Sequence, residues 1–455
     1  MSDNNSKYTR AVTVGIIKDN SMADECRRSL DELDRLIDTA GGECVSQMIQ
    51  IKSSYDPATC IGSGKVEELA RICVDNDAKL VVFDNELSPS QIRNLEDKIG
   101  NDVSVIDRSM LILDIFALHA GSGEGKLQVE LAQLKYTAPR LIGKGEELSR
   151  QEGRIGTRGP GESKLESDRR HLKRRIVSLE KDLAEMEKNR KTMRAARDRS
   201  GIVKVAIVGY TNAGKSTLLN CLTNAGVLAQ DKLFATLDPT TRRLDLPDAE
   251  SVLLTDTVGF IRNLPHHLVK AFRSTLDEAV YSDIILVVAD ATDPCVEDEL
   301  AVTHEILESL GAVGKPTLTV YNKCDMLDEN INGVNEKNIK DKNEKREEKS
   351  DVVFISAKTG KNIDILLSKL SYIVKRQKRK VTMLFPYDSQ SEMNRLYASA
   401  TVSEVDYLDE GVKVVAVLDS KCLKQFEKFI RNDDILSGRT ENALKDAESD
   451  EDATI

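Results

Sequence analysis

Hydrophobic positions follow two rhythms along this chain, and each change of rhythm marks a new part. From Ala11 to Asp107, apolar runs at Ala11–Ile17, Cys44–Ile51, Leu80–Phe83 and Val103–Ile106 alternate with helical patterns near Asp24–Ala40, Lys65–Val74 and Ser88–Ile99. Strands alternating with amphipathic helices predict a small, mainly parallel α/β domain over residues 1–107. Residues 108–200 read as helical, broken by glycine-rich runs at Gly121–Gly125 and Gly153–Gly161. Past the second break, Leu165, Leu172, Leu179, Met186 and Met193 recur with Ile176 and Leu183 between them. This heptad pattern predicts a long helix that pairs with another. Leu127, Leu131 and Leu134 mark the partner in the same chain, giving an antiparallel hairpin; pairing between molecules is the alternative. Residues 201–378 return to alternating β and α, interrupted at 328–350 by an Asn-, Lys- and Glu-rich insert that cannot bury a core. Residues 379–436 hold strand-like runs Val381–Phe385 and Val412–Leu418 and a helical stretch Cys422–Ile430, a small α+β domain. The acidic tail, 437–455, is expected to be disordered.

Composition narrows the classes. The 455 residues carry a net charge of -11, 31% charged residues, 4% aromatics and no tryptophan. That argues against reading single-stranded RNA by aromatic stacking, and against a wholly nucleic-acid-binding surface, but leaves local basic patches open. The eight cysteines form no CxxC pair and read as reduced, buried thiols. No apolar stretch is long enough to span a membrane, and polar Met1–Arg10 is not a signal peptide. The expectation is a cytoplasmic monomer without stable membrane insertion, peripheral association staying open.

The chemistry lies in the third region. The strand Val203–Val208 runs into Gly209-Tyr210-Thr211-Asn212-Ala213-Gly214-Lys215-Ser216 and then a helix opening at Thr217. In this strand–loop–helix context, backbone N–H groups and the helix N-terminus cradle phosphates, Lys215 reaches the β- and γ-phosphates, and Ser216 ligates Mg2+. Asp256-Thr257-Val258-Gly259 follows a second strand; Asp256 can hold Mg2+ through water, and the Gly259 N–H can sense the γ-phosphate. Asn322-Lys323-Cys324-Asp325 selects the base, because the Asp325 carboxylate takes the paired N–H donors of guanine, which adenine lacks. Asn322 braces the site and the Lys323 stem lies along the purine. Ser356-Ala357-Lys358 fits the last base-contacting loop. Phe234-Ala235-Thr236-Leu237-Asp238, then Pro239-Thr240-Thr241, lies where a threonine should close over Mg2+; Thr236, Thr240 and Thr241 are all chemically able. The expected catalytic set is Lys215, Thr236 and Gly259.

One part is missing. Phe260 stands where many GTPases place a water-orienting glutamine, and no arginine among Arg242, Arg243 and Arg262 stands out as a finger. Slow intrinsic hydrolysis, accelerated by a partner, is therefore expected. Asn212 either helps bind a monovalent cation such as K+ or only shapes the loop.

The nucleotide motifs, with Gln128–Tyr136, Gly156–Glu166, Asp168-Arg169-Arg170 and Asp256–Arg262, resemble those of the HflX family of ribosome-associated GTPases, within the Obg-HflX superfamily. The likeness runs from about Tyr8 to Leu370 and more loosely beyond. It implies a P-loop GTPase domain between an N-terminal α/β domain with its helical hairpin and a small C-terminal α+β domain. It implies a bacterial GTPase that binds the large ribosomal subunit and its rRNA, and splits stalled or idle ribosomes under stress. It implies Thr236 as the switch-I Mg2+ ligand, and Phe260 agrees with the family's hydrophobic replacement. Two departures are the 328–350 insert and Lys164, where the family commonly has glutamine. Alternatives are a GTP-gated large-subunit assembly factor and ATP-dependent RNA remodelling by the N-terminal domain. Gly62-Ser63-Gly64-Lys65 there mimics a phosphate loop but reads as a helix start.

Lys164–Arg199 carries thirteen basic against seven acidic residues, despite the acidic total. Charge alone fits either a solvated coiled-coil face or an RNA contact. The resemblance favours RNA, with Arg154, Arg158, Arg169, Arg170, Lys173 and Arg174 as candidate contacts. His266 and His267 are expected to open a helix rather than act in catalysis.

Overall fold

The structure is a computed structural model that describes residues 9–100, 102–142, 160–198, 202–223, 233–234, 238–247, 251–262, 273–312, 314–327, 351–376, 379–418 and 420–430. The expectations placed on Ala235, Thr236, Leu237, Arg154, Arg158, His266, His267, the 328–350 insert and the tail therefore lie outside the described residues.

The first sheet holds β1 (Thr9–Ile17), β2 (Gly42–Ile51), β3 (Leu80–Phe83) and β4 (Ser104–Asp107), all parallel, in the order β2-β1-β3-β4. Its crossovers are α1 (Ala23–Thr39), α2 (Ser63–Asp75) and α3 (Pro89–Ile99). The last starts with a capping box between Ser88 and Gln91 and a proline at its head. Alternate β1 residues face opposite ways. Val12, Val14 and Ile16 join Val66, Leu69 and Leu95; Ala11 and Ile17 join Leu30, Leu33 and Leu36 of α1. Helices on both faces explain the near-continuous apolar runs of these strands.

The helix α4 (Arg108–His119), capped by Asp107 accepting from Met110 N, adds Leu111, Ile112, Leu113, Ile115 and Phe116 to the α1 side. Next come α5 (Gly123–Ile142) and α6 (Pro160–Asp198). On α6, Leu172, Ile176, Leu179, Leu183 and Met186 are turned from solvent while most residues between them are exposed. Leu127, Leu131 and Leu134 are half-buried, and Val129 and Ala132 are buried in the common core. Two ion pairs flank the seam, Arg175–Glu130 and Lys135–Glu180, each at 2.7 Å.

The six-stranded sheet has β5 (Val203–Gly209), β6 (Thr240–Asp245), β7 (Ser251–Asp256), β8 (Ile284–Asp290), β9 (Thr317–Asn322) and β10 (Val352–Phe354), ordered β10-β9-β8-β5-β7-β6. Ile284–Ala289 are all buried, so β8 is covered on both faces. Its helices include α7 (Lys215–Thr223), α8 (Arg273–Tyr281) and α9 (Val296–Ser309).

Two compact units divide the chain: Met1–Asn189, Lys204–Arg242 and Leu254–Asn362 make one; Arg190–Val203, Arg243–Leu253 and Ile363–Ile455 the other. The second contains α10 (Ile363–Arg376), α11 (Gln390–Ser399), α12 (Ser420–Phe426) and an antiparallel sheet of β11 (Arg379–Phe385), β12 (Thr401–Leu408) and β13 (Gly411–Leu418), ordered β11-β13-β12. Sequence analysis missed β12 and α11. Ser403, Glu404, Asp406 and Tyr407 stay exposed on this edge strand, so it lacks an apolar signature. All eight cysteines are free, and five are buried, but Cys221 is exposed, against the reading of buried thiols throughout. No described helix is long and apolar enough to cross a membrane.

Within the first unit a buried ionic network ties the N-terminal sheet region to the nucleotide domain. The Arg108 guanidinium, 2% exposed, donates to Glu32 Oε2 and Asp84 Oδ1, both at 2.7 Å, and to Ser29 Oγ at 3.2 Å. Burial opposes its charge, yet the two carboxylates outweigh that and raise its pKa. The other Glu32 oxygen accepts from Tyr210 Oη at 2.6 Å. Arg108→Met leaves two carboxylates without their counter-ion and should cost about 3–5 kcal/mol in chemical denaturation. Adding Glu32→Gln should recover part of that loss.

Candidate nucleotide-binding site

The site begins where β5 meets β8. Gly209 has φ +144°, and a Cβ there would lie 2.0 Å from Val288 O, so only glycine lets the strand end this close to its neighbour. Positive φ at Asn212 and Gly214 then turns the loop, and Lys215 starts α7, aiming the positive helix end into the loop. Lys215 is buried and its Nζ donates to Tyr210 O at 2.7 Å. Burial pulls its ammonium down to about 8, against Asp256.

The loop after β7 lies directly on this one. Thr211 N donates to Phe260 O at 2.7 Å and Phe260 N to Gly209 O at 3.0 Å. A Cβ on Gly259 would come within 2.8 Å of Thr211 Cγ2 and 2.9 Å of Lys215 Nζ, so the approach requires glycine. Val258 is buried, and Thr257 Oγ1 anchors the loop to Ile207 O at 2.7 Å. Ser216 Oγ donates to Asp256 Oδ2 at 2.7 Å. These two hard oxygen donors from different elements suit a small divalent cation such as Mg2+. The Phe260 ring is 1% exposed in the core, so it has no route to a water on the phosphates.

Asn322 joins the remaining pieces. Its Nδ2 donates to Ala213 O and its Oδ1 accepts from Ala357 N, both at 2.9 Å. Lys323 takes a left-handed conformation, φ +65°, and its Nζ pairs with Asp290 Oδ2 at 2.6 Å. Cys324 is buried with its N on Ile355 O at 3.1 Å, while Asp325 is exposed beside it. Ser356 is buried and Lys358 exposed. The structure thus brings together Gly209–Thr217, Asp256–Gly259, Asn322–Asp325 and Ser356–Lys358. Phe234 and Asp238 are described on either side of Thr236. Thr240 opens β6, and Thr241 Oγ1 lies 2.9 Å from Thr255 Oγ1, so that hydroxyl is engaged within the sheet. Gly62 caps α2 with its N held by Gln50 Oε1 at 2.9 Å, and Lys65 pairs with Glu68 at 2.8 Å, a helix start as expected.

Sequence reading missed the Tyr210 hydroxyl. It donates to Glu32 and accepts from Arg262 N, connecting the phosphate loop, the end of the Asp256–Gly259 loop and α1. Burial, then the Glu32 carboxylate, raises its pKa. A carboxylate on the apolar stripe of α1 and an arginine heading the apolar α4 were the available signals. Glu299 of α9 faces the same region. Burial, then Asp293 and Glu32, pushes its carboxyl up to about 8, with Asp290 adding and Arg262 opposing.

The GxxxxGKS loop Gly209–Ser216, the DxxG run Asp256–Gly259 and the NKxD run Asn322–Asp325, gathered on one six-stranded sheet, define a P-loop GTPase. Family models agree along the chain: "GTP-binding GTPase N-terminal" over residues 27–117, "GTP-binding GTPase Middle Region" over 119–197, "50S ribosome-binding GTPase" over 204–323 and "Elongation factor Tu GTP binding domain" over 272–376. The chain is 46% identical to GTPase HflX of Caldanaerobacter subterraneus, covering 92% of this chain and 94% of that one. Against GTPase HflX of Escherichia coli it is 42% identical, over 86% and 89%. A GTP-binding protein from Sulfolobus solfataricus, solved with GDP, aligns at 27% identity over 81% of this chain and 99% of that one, with a TM-score of 0.44. The chain belongs to the GTPase HflX family, and it is a GTP hydrolase.

Two outcomes are expected. Asn322→Ala leaves two buried backbone groups without partners and should weaken GTP and GDP alike by about 10- to 100-fold in equilibrium binding. Glu299 titrates at about 8 folded against 4.5 as its ordinary value. Its contribution to stability is therefore present below the ordinary value and is lost as pH rises through about 8. Glu299→Gln should flatten the pH dependence of unfolding across that window and be more stable than the parent above it.

Proposed function

We propose that this GTPase binds GTP with Mg2+, associates with the large ribosomal subunit and its rRNA, and splits or rescues stalled or idle ribosomes in the cytoplasm under stress. The observation that carries this reading is the arm. Arg169, Arg170, Lys173 and Arg174 stand exposed on α6, while Leu172, Ile176, Leu179 and Leu183 turn from solvent. A row of cations on a rigid helix suits an RNA backbone, whose phosphates fix register without reading sequence. The family model matched over residues 204–323, that of a 50S ribosome-binding GTPase, points the same way.

In this reading Lys215 and the loop amides hold the phosphates, and Asp325 takes the two guanine donors, braced by Asn322 and flanked by Lys323 and Ser356–Lys358. Ser216 and Thr236 would hold Mg2+, with Asp256 behind them; when bound, the ion neutralises charge between the β- and γ-phosphates. The Gly259 N–H reports the γ-phosphate to its loop. Phe260, sealed in the core, leaves the attacking water unoriented, so turnover is slow until the ribosome reorders these loops.

Sedimentation with ribosomes in GTP, GDP and a non-hydrolysable analogue tests this. Retention on large subunits with the analogue, loss of intact ribosomes, and hydrolysis stimulated at least about tenfold are expected, below the gain a complete finger provides. Retention on free large subunits without splitting would favour an assembly role. Equal rates with and without ribosomes would refute the stimulated site.

A further inference from the structure

Switch I is gripped from outside the nucleotide domain. Ahead of residues 235–237, Leu233 N donates to Thr39 Oγ1 of α1 at 3.3 Å. Phe234, buried with φ +56°, sets its ring edge-on to Phe116 of α4, with centroids 4.6 Å apart. Beyond them, the Asp238 carboxylate accepts from Gly121 N at 3.0 Å, from Ser122 N at 2.6 Å and from Ser122 Oγ. Ser122 Oγ in turn accepts from Gly125 N at 2.9 Å, in the first turn of α5. A Cβ on Gly125 would lie 2.8 Å from Asp238 Oδ1, and one on Gly121 3.2 Å from Oδ2. The glycine-rich break is therefore a cradle shaped for one carboxylate. An anion there also meets the positive end of α5.

We propose that Ser122 is a positioning residue for GTP binding: through Asp238, the root of the hairpin arm holds the loop that carries Thr236, so arm and switch I move as one equilibrium. This rests on the reading of Thr236 as a ligand of the triphosphate state. Nothing in it requires Ser122 to touch nucleotide. Coupling of this kind is reciprocal, so whatever reorients α5 changes the preference for GTP over GDP, and GTP changes the arm. Asp238 is the point where the two meet, and the anchors at Thr39 and Phe116 fix the other end of the segment.

Two substitutions separate a switch seat from a mere helix cap. Ser122→Ala removes the cap and weakens the start of α5. Gly125→Ala strengthens the helix but drives a methyl into the carboxylate. In the full chain with Mg2+, both should weaken a non-hydrolysable GTP analogue about tenfold and leave GDP unchanged, within the usual range of coupling factors. Both should speed hydrogen exchange across residues 233–240, while exchange in the first turn of α5 moves in opposite directions. Ser122→Thr keeps the hydroxyl and should restore both readouts. If Gly125→Ala binds the analogue as well as the parent, or switch-I exchange does not move in either variant, Ser122 is a helix cap only and the proposal fails. If the unsubstituted chain itself shows no Mg2+-dependent binding of the analogue, the reading of the nucleotide site fails instead.

Discussion

A single carboxylate, Glu32, is shared between two domains, and the first unit of this molecule is organised around that sharing. One oxygen neutralises the buried Arg108, the other receives the Tyr210 hydroxyl from the phosphate loop. Neither bond stands alone. Taking a guanidinium out of water is tolerable only with close counter-ions, and Arg108 has two, Glu32 and Asp84. Once they are in place, Glu32 is fixed, and so is the direction in which Tyr210 must point. Tyr210 then accepts the Arg262 N–H, so the phosphate loop and the end of the Asp256–Gly259 loop hang from the same peg. The apolar core repeats the pattern. Leu33, Phe116, Val129, Tyr210, Phe234 and Phe260 belong to one cluster running through sheet region, hairpin and nucleotide domain.

What could be read in advance was local. Strands such as Leu80–Phe83 coincide with their apolar runs, because a parallel sheet covered on both faces writes itself as uninterrupted hydrophobics. The nucleotide loops were legible because phosphate, metal and base contacts each need fixed residue types at fixed spacing. The hairpin seam was legible because its period is that of a coiled coil. The Tyr210–Glu32 bond joins residues 178 apart in sequence, and the Ser122–Asp238 bond joins residues 116 apart. No spacing rule reaches that far, and both show only as odd choices: a carboxylate on an apolar stripe, glycines where a helix begins. The edge strand β12 was hidden for the opposite reason, since its polar, exposed face hides its period.

The charge distribution reconciles two facts that first look opposed. A net charge of -11 disfavours indiscriminate binding of polyanions over the whole surface. The excess of basic residues on α6 is concentrated along one helix, which is tied to α5 by Arg175 on Glu130 and by Glu180 on Lys135. Exposed pairs of that kind add little stability. Their value is orientation: they join the two helices and leave Arg169, Arg170, Lys173 and Arg174 facing solvent.

Phe260 shows how these constraints meet in the reaction. Its backbone is bonded to Gly209 and Thr211, and its ring is packed in the shared core. The residue that follows Gly259 therefore cannot swing out of the core without breaking two hydrogen bonds and exposing an aromatic ring. A glutamine at this position would have to leave a buried amide in the core or give up the packing. A phenylalanine pays neither cost, and it converts the loop from a catalytic arm into a structural joint between the phosphate loop and the rest of the unit. Moving that joint means moving Tyr210 beside it, and with Tyr210 the Glu32–Arg108 network, which leads away from the phosphate loop toward α1 and α4.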